Sequence, residues 1–406
     1  MKNEIQAYSI SLLSLLLMAG FASFGAVLPT PALPAIAHYF SITSSSVEGI
    51  MVIYLIGYGV GQLLYGPIAN RFGRKQSVMV GIILASIGSL LAIIASLFHY
   101  FLLLMIARFL TALGAAAGLV VSMILIKDIH DELNARKTFA KIVLMFGFMP
   151  FIATALAGNL IHYLNWQVIN WIMLIYSAVL LLITLKLTET LPVTKRIMIS
   201  APLLLKSYSQ LLRPSNYLRL ALLFTLGGAT SYVFNSLAPL LIVKHMQVST
   251  ELYGWLSIAP ALGMVSGGWL SARFVKQFTA SQMIFCGISL MISSTVTLVL
   301  LFSLHGINLI NFYILSAILF CGAALIIPNA AMQALTHTSD HANGTSVMNA
   351  IALLGSSIYV HVTSGFIGYS LLAFPMALLS IGILMALLTI KLTLFTKLIP
   401  HQSGVK

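Results

Sequence analysis

Apolar residues run through this chain in long stretches, separated by short polar intervals. A spanning helix needs roughly 20 predominantly apolar residues. On that measure the pattern predicts spans at 8–28, 47–67, 77–97, 101–126, 139–161, 167–188, 217–241, 252–272, 280–304, 309–333, 345–367 and 370–394. That makes twelve crossings, so both chain ends are expected on the same side. The first stretch also admits a cleavable signal peptide, because residues 19–26 are rich in small side chains, but it runs straight on into Pro29, Pro31 and Pro34. The longest polar interval begins at Glu189 and divides the spans six and six. The expected fold is an all-α polytopic membrane protein: a six-helix bundle over 1–190, a cytoplasmic linker over 191–216, and a second, pseudo-symmetric six-helix bundle over 217–406.

Composition agrees with this class. The chain is 60% hydrophobic and 7% charged, with a mean hydropathy of +1.02, whereas a soluble domain carries about a quarter charged residues. The net charge of +13 would suggest nucleic acid in a soluble protein. Here the cations are thinly spread and no basic patch interleaves with aromatics, so no nucleic-acid partner is expected. The charge instead reports topology. With the N-terminus inside, Lys244 is the one basic residue of 21 to fall outside, and Arg108 the one to fall within a span, as cytoplasmic retention of Lys and Arg requires.

Residues 61–75 read GQLLYGPIANRFGRK: a glycine-studded helix end, a proline, then Arg71, Arg74 and Lys75 in a tight cytoplasmic turn. Gly57, Gly59, Gly61 and Gly66 leave a helix face bare, so that a neighbouring helix can approach closely and slide. A shift of 202 positions pairs Gly61 with Gly263, Gly66 with Gly268, Arg71 with Arg273 and Arg74 with Lys276. A weaker echo pairs Gly114-Ala115-Ala116 with Gly322-Ala323-Ala324. Parallel halves of this kind mark a transporter architecture with its substrate site at mid-membrane.

Candidate chemistry is sparse. Cys286 and Cys321 lie inside apolar runs and offer neither a disulfide framework nor a metal-ligand spacing. There is no HExxH, no GxSxG and no pair of intramembrane aspartates, so neither an enzyme, a metal nor a cofactor is expected. The acids fall at span ends or in loops. Glu48 is the most membrane-proximal, but Ser45-Ser46-Val47-Glu48 also reads as a capping box, and Glu251 after Ser249-Thr250 invites the same reading. Arg108 costs at least about 2.5 kcal/mol inside a span unless paired or hydrated. It should therefore face a cavity or bond backbone carbonyls of the first span. His361 lies well inside an apolar run, where it suits either a proton relay or a structural hydrogen bond. Gln62, Asn159, Asn235, Asn329, Gln333 and Asn349 can bind a substrate or staple helices. Together with Tyr54, Tyr58, Tyr232 and Phe234 they make a mostly apolar, aromatic pocket suited to an amphipathic organic molecule.

Residues 61–75 resemble the loop-2/3 signature of the major facilitator superfamily. Further segments resemble its bicyclomycin-resistance type branch of drug:proton antiporters: Pro31-Ala32-Leu33-Pro34, Ala107-Arg108-Phe109-Leu110, Lys127-Asp128, Glu189-Thr190-Leu191-Pro192, Pro328-Asn329-Ala330 and Gly344-Thr345. The chain departs from that pattern at Asn70, where the signature has an aspartate, at Val27, where the branch often has an acid, and at Thr111, which replaces a glutamine. The resemblance implies a monomeric transporter of the bacterial inner membrane, with cytoplasmic termini, that exports a drug, siderophore or metabolite by proton antiport. It implies a cytoplasmic gate of Gly61, Gly66, Pro67, Asn70, Arg71, Gly73, Arg74 and Lys75, latched by Asp128, with Asn70 accepting hydrogen bonds from the eleventh span. It implies proton or substrate handling for Arg108. The missing acids keep open a facilitator or uptake carrier for a neutral metabolite, and a transport-inactive sensor or scaffold is the reading of another class.

Overall fold

The computed structural model describes residues 10–129, 132–196, 201–213, 216–275, 277–304, 306–338, 341–367 and 371–396. Linker positions 197–200, 214 and 215, together with Lys276 of the repeat and Asp340, lie outside the described residues.

Each predicted span coincides with a helix. The first half comprises α1 (Leu12–Val27), α2 (Ser44–Phe72), α3 (Arg74–Leu97), α4 (Phe101–Ile129), α5 (Glu132–Tyr163) and α6 (Val168–Leu185). A linker helix (Ala201–Leu211) leads to α7 (Asn216–Pro239), α8 (Ile258–Phe274), α9 (Ala280–Ser303), α10 (Leu309–Thr336), α11 (His341–Ile367) and α12 (Ala373–Thr396). Among the described residues, nine helical stretches are long and apolar enough to cross a membrane. The predicted eighth span falls below that length because Ser257 separates a short helix, Thr250–Leu256, from α8. After α1 the prolines insert a 3-10 turn, Thr30–Ala32, and the helical stretch then continues through Leu33–Tyr39, so that the first apolar stretch runs from Leu12 to Tyr39. Beyond Pro239, α7 ends in a π-turn, Leu240–His245. Thr43, Ser249, Thr279 and Asn308 each place a side-chain oxygen on the N–H three residues ahead, fixing where their helices begin.

Small residues set the packing within each half, and they do so symmetrically. Helix α3 meets α4 where Gly81 faces Gly114: a Cβ at Gly81 would lie 2.7 Å from the Gly114 carbonyl oxygen. Helix α9 meets α10 in the same way, a Cβ at Gly287 lying 2.6 Å from the Gly322 carbonyl oxygen. The sequence echo between 114–116 and 322–324 is thus an equivalent helix contact. The glycines of α2 divide between two jobs. Gly57 and Gly61 pack on α4, against Phe109 and Ala116, whereas Gly59 faces Leu353 and Leu354 of α11 in the other half.

The halves touch along their outer parts. Lys244 Nζ reaches Ser44 Oγ at 3.2 Å, and His162 Nε2 stands 3.4 Å from Glu251 Oε2. Between α5 and the short helix before α8, a Cβ at Gly158 would come within 2.9 Å of the Gly254 Cα. Deeper in, Ser357 Oγ donates to the Val52 carbonyl at 3.2 Å. At the inner end of α2, Gly66 has nothing within 4 Å of where a Cβ would be. The end of the bundle that carries Ser44, Gly158, Lys244 and Glu251 is therefore where the halves close on each other. Large apolar side chains such as Leu90, Leu97, Ile175, Leu182, Trp269 and Ile314 are exposed around the outside, as a lipid-facing surface requires.

Candidate functional site

The turn between α2 and α3 is built from charges matched to helix ends. Gly73 takes φ 104° and ψ 162°, a region open in practice to glycine alone, and a Cβ there would press on Glu189 Oε2. The turn leaves the last carbonyls of α2 and the first N–H groups of α3 pointing outward, the negative and positive ends of two helix dipoles. Arg74 serves the negative end, donating from Nη1 to the Ala69 carbonyl at 2.9 Å. Glu189 serves the positive end, accepting the N–H of Arg74 at 2.9 Å and of Lys75 at 3.2 Å. Arg74 Nε then donates to Asp128 Oδ2 at 2.9 Å, and the same oxygen accepts from Thr190 Oγ1 at 2.7 Å. Lys75 Nζ donates to the Leu185 carbonyl at 2.8 Å. The guanidinium of Arg71 lies over the Phe72 ring at 5.1 Å. The turn is thereby tied to the inner ends of α4 and α6.

Two details differ from the expectation. Asn70 Oδ1 accepts from Arg74 Nη1 at 3.1 Å, within its own half, where the sequence suggested the eleventh span. Arg74 is so close in sequence that it captures this acceptor. Glu189 was not foreseen as a partner. Pro67 lies inside α2, one turn before Arg71.

At mid-membrane, Arg108 from α4 is buried and donates from Nη2 to the Gly25 carbonyl at 2.8 Å. Its guanidinium sits 4.1 Å above the Tyr54 ring centroid, a cation–π contact of the kind that strengthens when desolvated. The expected bond to a first-span carbonyl is therefore formed, while Nε has no hydrogen-bond partner among the described residues. A small cavity opens beside it, lined in part by Leu28, Leu104, Trp166 and Asn170. Tyr54 and Tyr58 are fully buried on α2, and Tyr232 from α7 lies within electrostatic range of both. Asn235 Oδ1 accepts from Thr154 Oγ1 at 3.2 Å, joining α7 to α5 across the halves.

The remaining candidates separate. Asn329 staples α10 to α8 through Ser271 Oγ at 2.9 Å, and Asn349 is half-buried on α11. Phe234 packs into an aromatic core with Phe312, Phe320 and Phe374, at centroid distances of 5.8, 5.2 and 5.8 Å, rather than into a pocket with the tyrosines. His361 is a correction: it is exposed beside Ile358, Val362 and Phe366 on the outward face of α11, so it does not look into the protein as a relay would. Glu48 is another. Thr43 is the N-cap of α2, and Glu48 is its fifth residue, fully buried with neither carboxylate oxygen partnered. The capping-box reading fails because the helix starts two residues earlier than that box requires. Glu251 faces His162 across the outer contact rather than acting as a local cap alone.

The profile of the Major Facilitator Superfamily matches residues 15–360. The chain belongs to the major facilitator superfamily. It is 25% identical over 332 residues to multidrug resistance protein D of Escherichia coli K12, with 80% of each chain covered. It is 23% identical over 301 residues to a bicyclomycin resistance protein homolog of Haemophilus influenzae, covering 73% of this chain and 74% of the relative. The fold matches that of a D-xylose-proton symporter with a TM-score of 0.72, at 16% identity, over 97% of this chain and 99% of the other. This major facilitator protein is thus a multi-pass membrane transporter and not an enzyme, and its drug-resistance relatives agree with the branch that its motifs resemble.

Proposed function

We propose that this protein exports an amphipathic small molecule from a bacterial cytoplasm by proton antiport. It acts as a monomer in the inner membrane, with both termini inside, and bundles 1–190 and 217–406, joined by 191–216, rock about the mid-membrane site. The observation that carries this reading is the Arg108, Tyr54, Tyr58 and Tyr232 group, in which side chains from both halves converge at the centre. Its walls are aromatic and its hydrogen-bonding groups few, which suits an apolar body with one polar or acidic handle. A multiply charged anion would need several buried cations, and the central group supplies one guanidinium. The names of the relatives support drug-like cargo. The turn at Gly73 holds α2, α3, α4 and the segment after α6 as one block, so that the first half moves as a unit.

The test is bicyclomycin accumulation in a pump-deficient bacterial host expressing the full chain. Wild type lowers accumulation, collapse of the pH gradient abolishes the effect, and Arg108→Ala loses it. Lowered accumulation that persists after collapse would exclude antiport in favour of a facilitator. No effect on bicyclomycin, ethidium or chloramphenicol would remove the efflux reading.

A further inference from the structure

Four side chains on one face of α2 share an uncommon property. Glu48, Tyr54, Tyr58 and Gln62 are each at most 1% exposed, yet Glu48 Oε1 and Oε2, the two tyrosine hydroxyls and Gln62 Nε2 have no hydrogen-bond partner among the described residues. At about 100° per residue these positions fall within an arc of roughly 120°, and at 1.5 Å per residue they extend over about 21 Å, from the outer end of the helix to past mid-membrane. Buried polar groups are ordinarily bonded, so each exception asks for a reason. Four in succession on a single face ask for a common one.

The surroundings of Glu48 sharpen the point. The titratable groups on elements around it are all engaged elsewhere or turned away. Arg108 on α4 is directed at Gly25 and Tyr54. Lys244 bonds Ser44, one helical turn further out. Tyr39 bonds the Ser96 carbonyl, and His38 beside it is exposed. On α11, Tyr359 bonds Ser380 and His361 is exposed. The other carboxylates with described contacts differ from Glu48. Asp128 pairs with Arg74, Glu189 accepts N–H groups and Glu251 faces His162. A bare carboxylate in such a place is tolerable only with a proton or a cation on it.

We infer that this face of α2 is the proton path of the transporter, with Glu48 as its outer carboxylate and the side chains of Tyr54, Tyr58 and Gln62 as its continuation inward. The inference rests on the antiport reading above. When the outer ends part, the Lys244–Ser44 bridge opens and Glu48 meets outside water, from which one carboxylate oxygen takes a proton. Closure of the outer half seals that proton in. It leaves along the hydroxyls and the amide, with water between them, to the cytoplasmic side, so that one proton enters for each outward passage of cargo.

Infrared difference spectroscopy against pH, on the full chain purified into lipid vesicles, tests the assignment without any cargo. Wild type should show the carbonyl band of a protonated carboxylic acid that is lost on alkalinisation. Glu48→Gln should lack the band, and Glu48→Asp should return it at a shifted frequency. Absence of the band in wild type, or its survival in Glu48→Gln, overturns the inference. A second arm follows bicyclomycin in the same vesicles. Glu48→Gln should lose transport driven by an imposed pH gradient while keeping exchange of labelled for unlabelled compound. If wild type moves bicyclomycin regardless of the gradient, or not at all, the antiport reading fails and the band still decides Glu48. If wild type is gradient-driven and Glu48→Gln equally so, antiport stands and the proton path lies elsewhere.

Discussion

The turn between α2 and α3 and the turn between α8 and α9 occupy equivalent places in the repeat and share a glycine-rich approach and an arginine, Arg71 and Arg273 respectively. They are held by different physics. The first is tied by long-range charge: Asp128 and Glu189 reach it from segments 54 and 115 residues away in the chain. The second is held by neutral groups, with Gln333 Nε2 of α10 donating to Ser281 Oγ at 3.1 Å and Asn329 to Ser271, and by local capping. Thr279 and Gln282 cap α9 reciprocally, the Gln277 and Phe278 N–H groups bond back to the Phe274 carbonyl at 2.9 and 3.0 Å, and Arg273 is exposed. The second turn is thus joined to α10 by uncharged amide–hydroxyl bonds, with no charged side chain bonded to its helix ends among the described residues. A turn tied to α4 and to the end of α6 makes those elements move together, and so suits a latch.

Four substitutions probe this contrast. Gly73→Ala should do most, costing about 3 kcal/mol, because it forces alanine into a glycine-only backbone region and drives Glu189 off the start of α3. An unchanged melting temperature in detergent would show that the turn is not held as described. Asp128→Asn should cost about 2 kcal/mol by leaving the buried Arg74 without its charged partner. Cysteine accessibility at the inner and outer ends of α2 should register a changed population ratio; an identical ratio counts against the latch. Thr279→Ala should cost about 1 kcal/mol and speed hydrogen exchange in the first turn of α9 alone. Any change at the inner end of α2 would mean that the second turn is not independent of the first. The smallest effect is expected of Asn70→Asp, which sets a charge against Arg74 Nη1 and should stabilise the first turn by about 0.5 kcal/mol. A lower melting temperature would contradict it.

The span pattern was legible because bilayer thickness imposes it directly on hydropathy. Helix ends were less so: α5 begins at Glu132 rather than 139, since a helix continues beyond its apolar stretch on polar residues that hydropathy discounts. The site was legible in its residue types and poorly in its facing. Glu48 and His361 both stand out from their apolar surroundings, yet one points inward and the other outward, a difference set by which neighbour each helix packs against. Glu189 gave almost no local signal, because the N–H groups of Arg74 and Lys75 lie more than 100 residues away and carry no side-chain signature, and its local bond to the Leu191 N–H does not point to them.

The meeting of Gly158 with Gly254 has a practical consequence. Backbone lies on backbone there, and a methyl group at 158 would stand 2.5 Å from the Thr250 carbonyl oxygen. One added carbon is thus a doorstop, small enough to leave each bundle intact and large enough to prop the halves apart at this end, which offers a way to capture the opposite conformer for study.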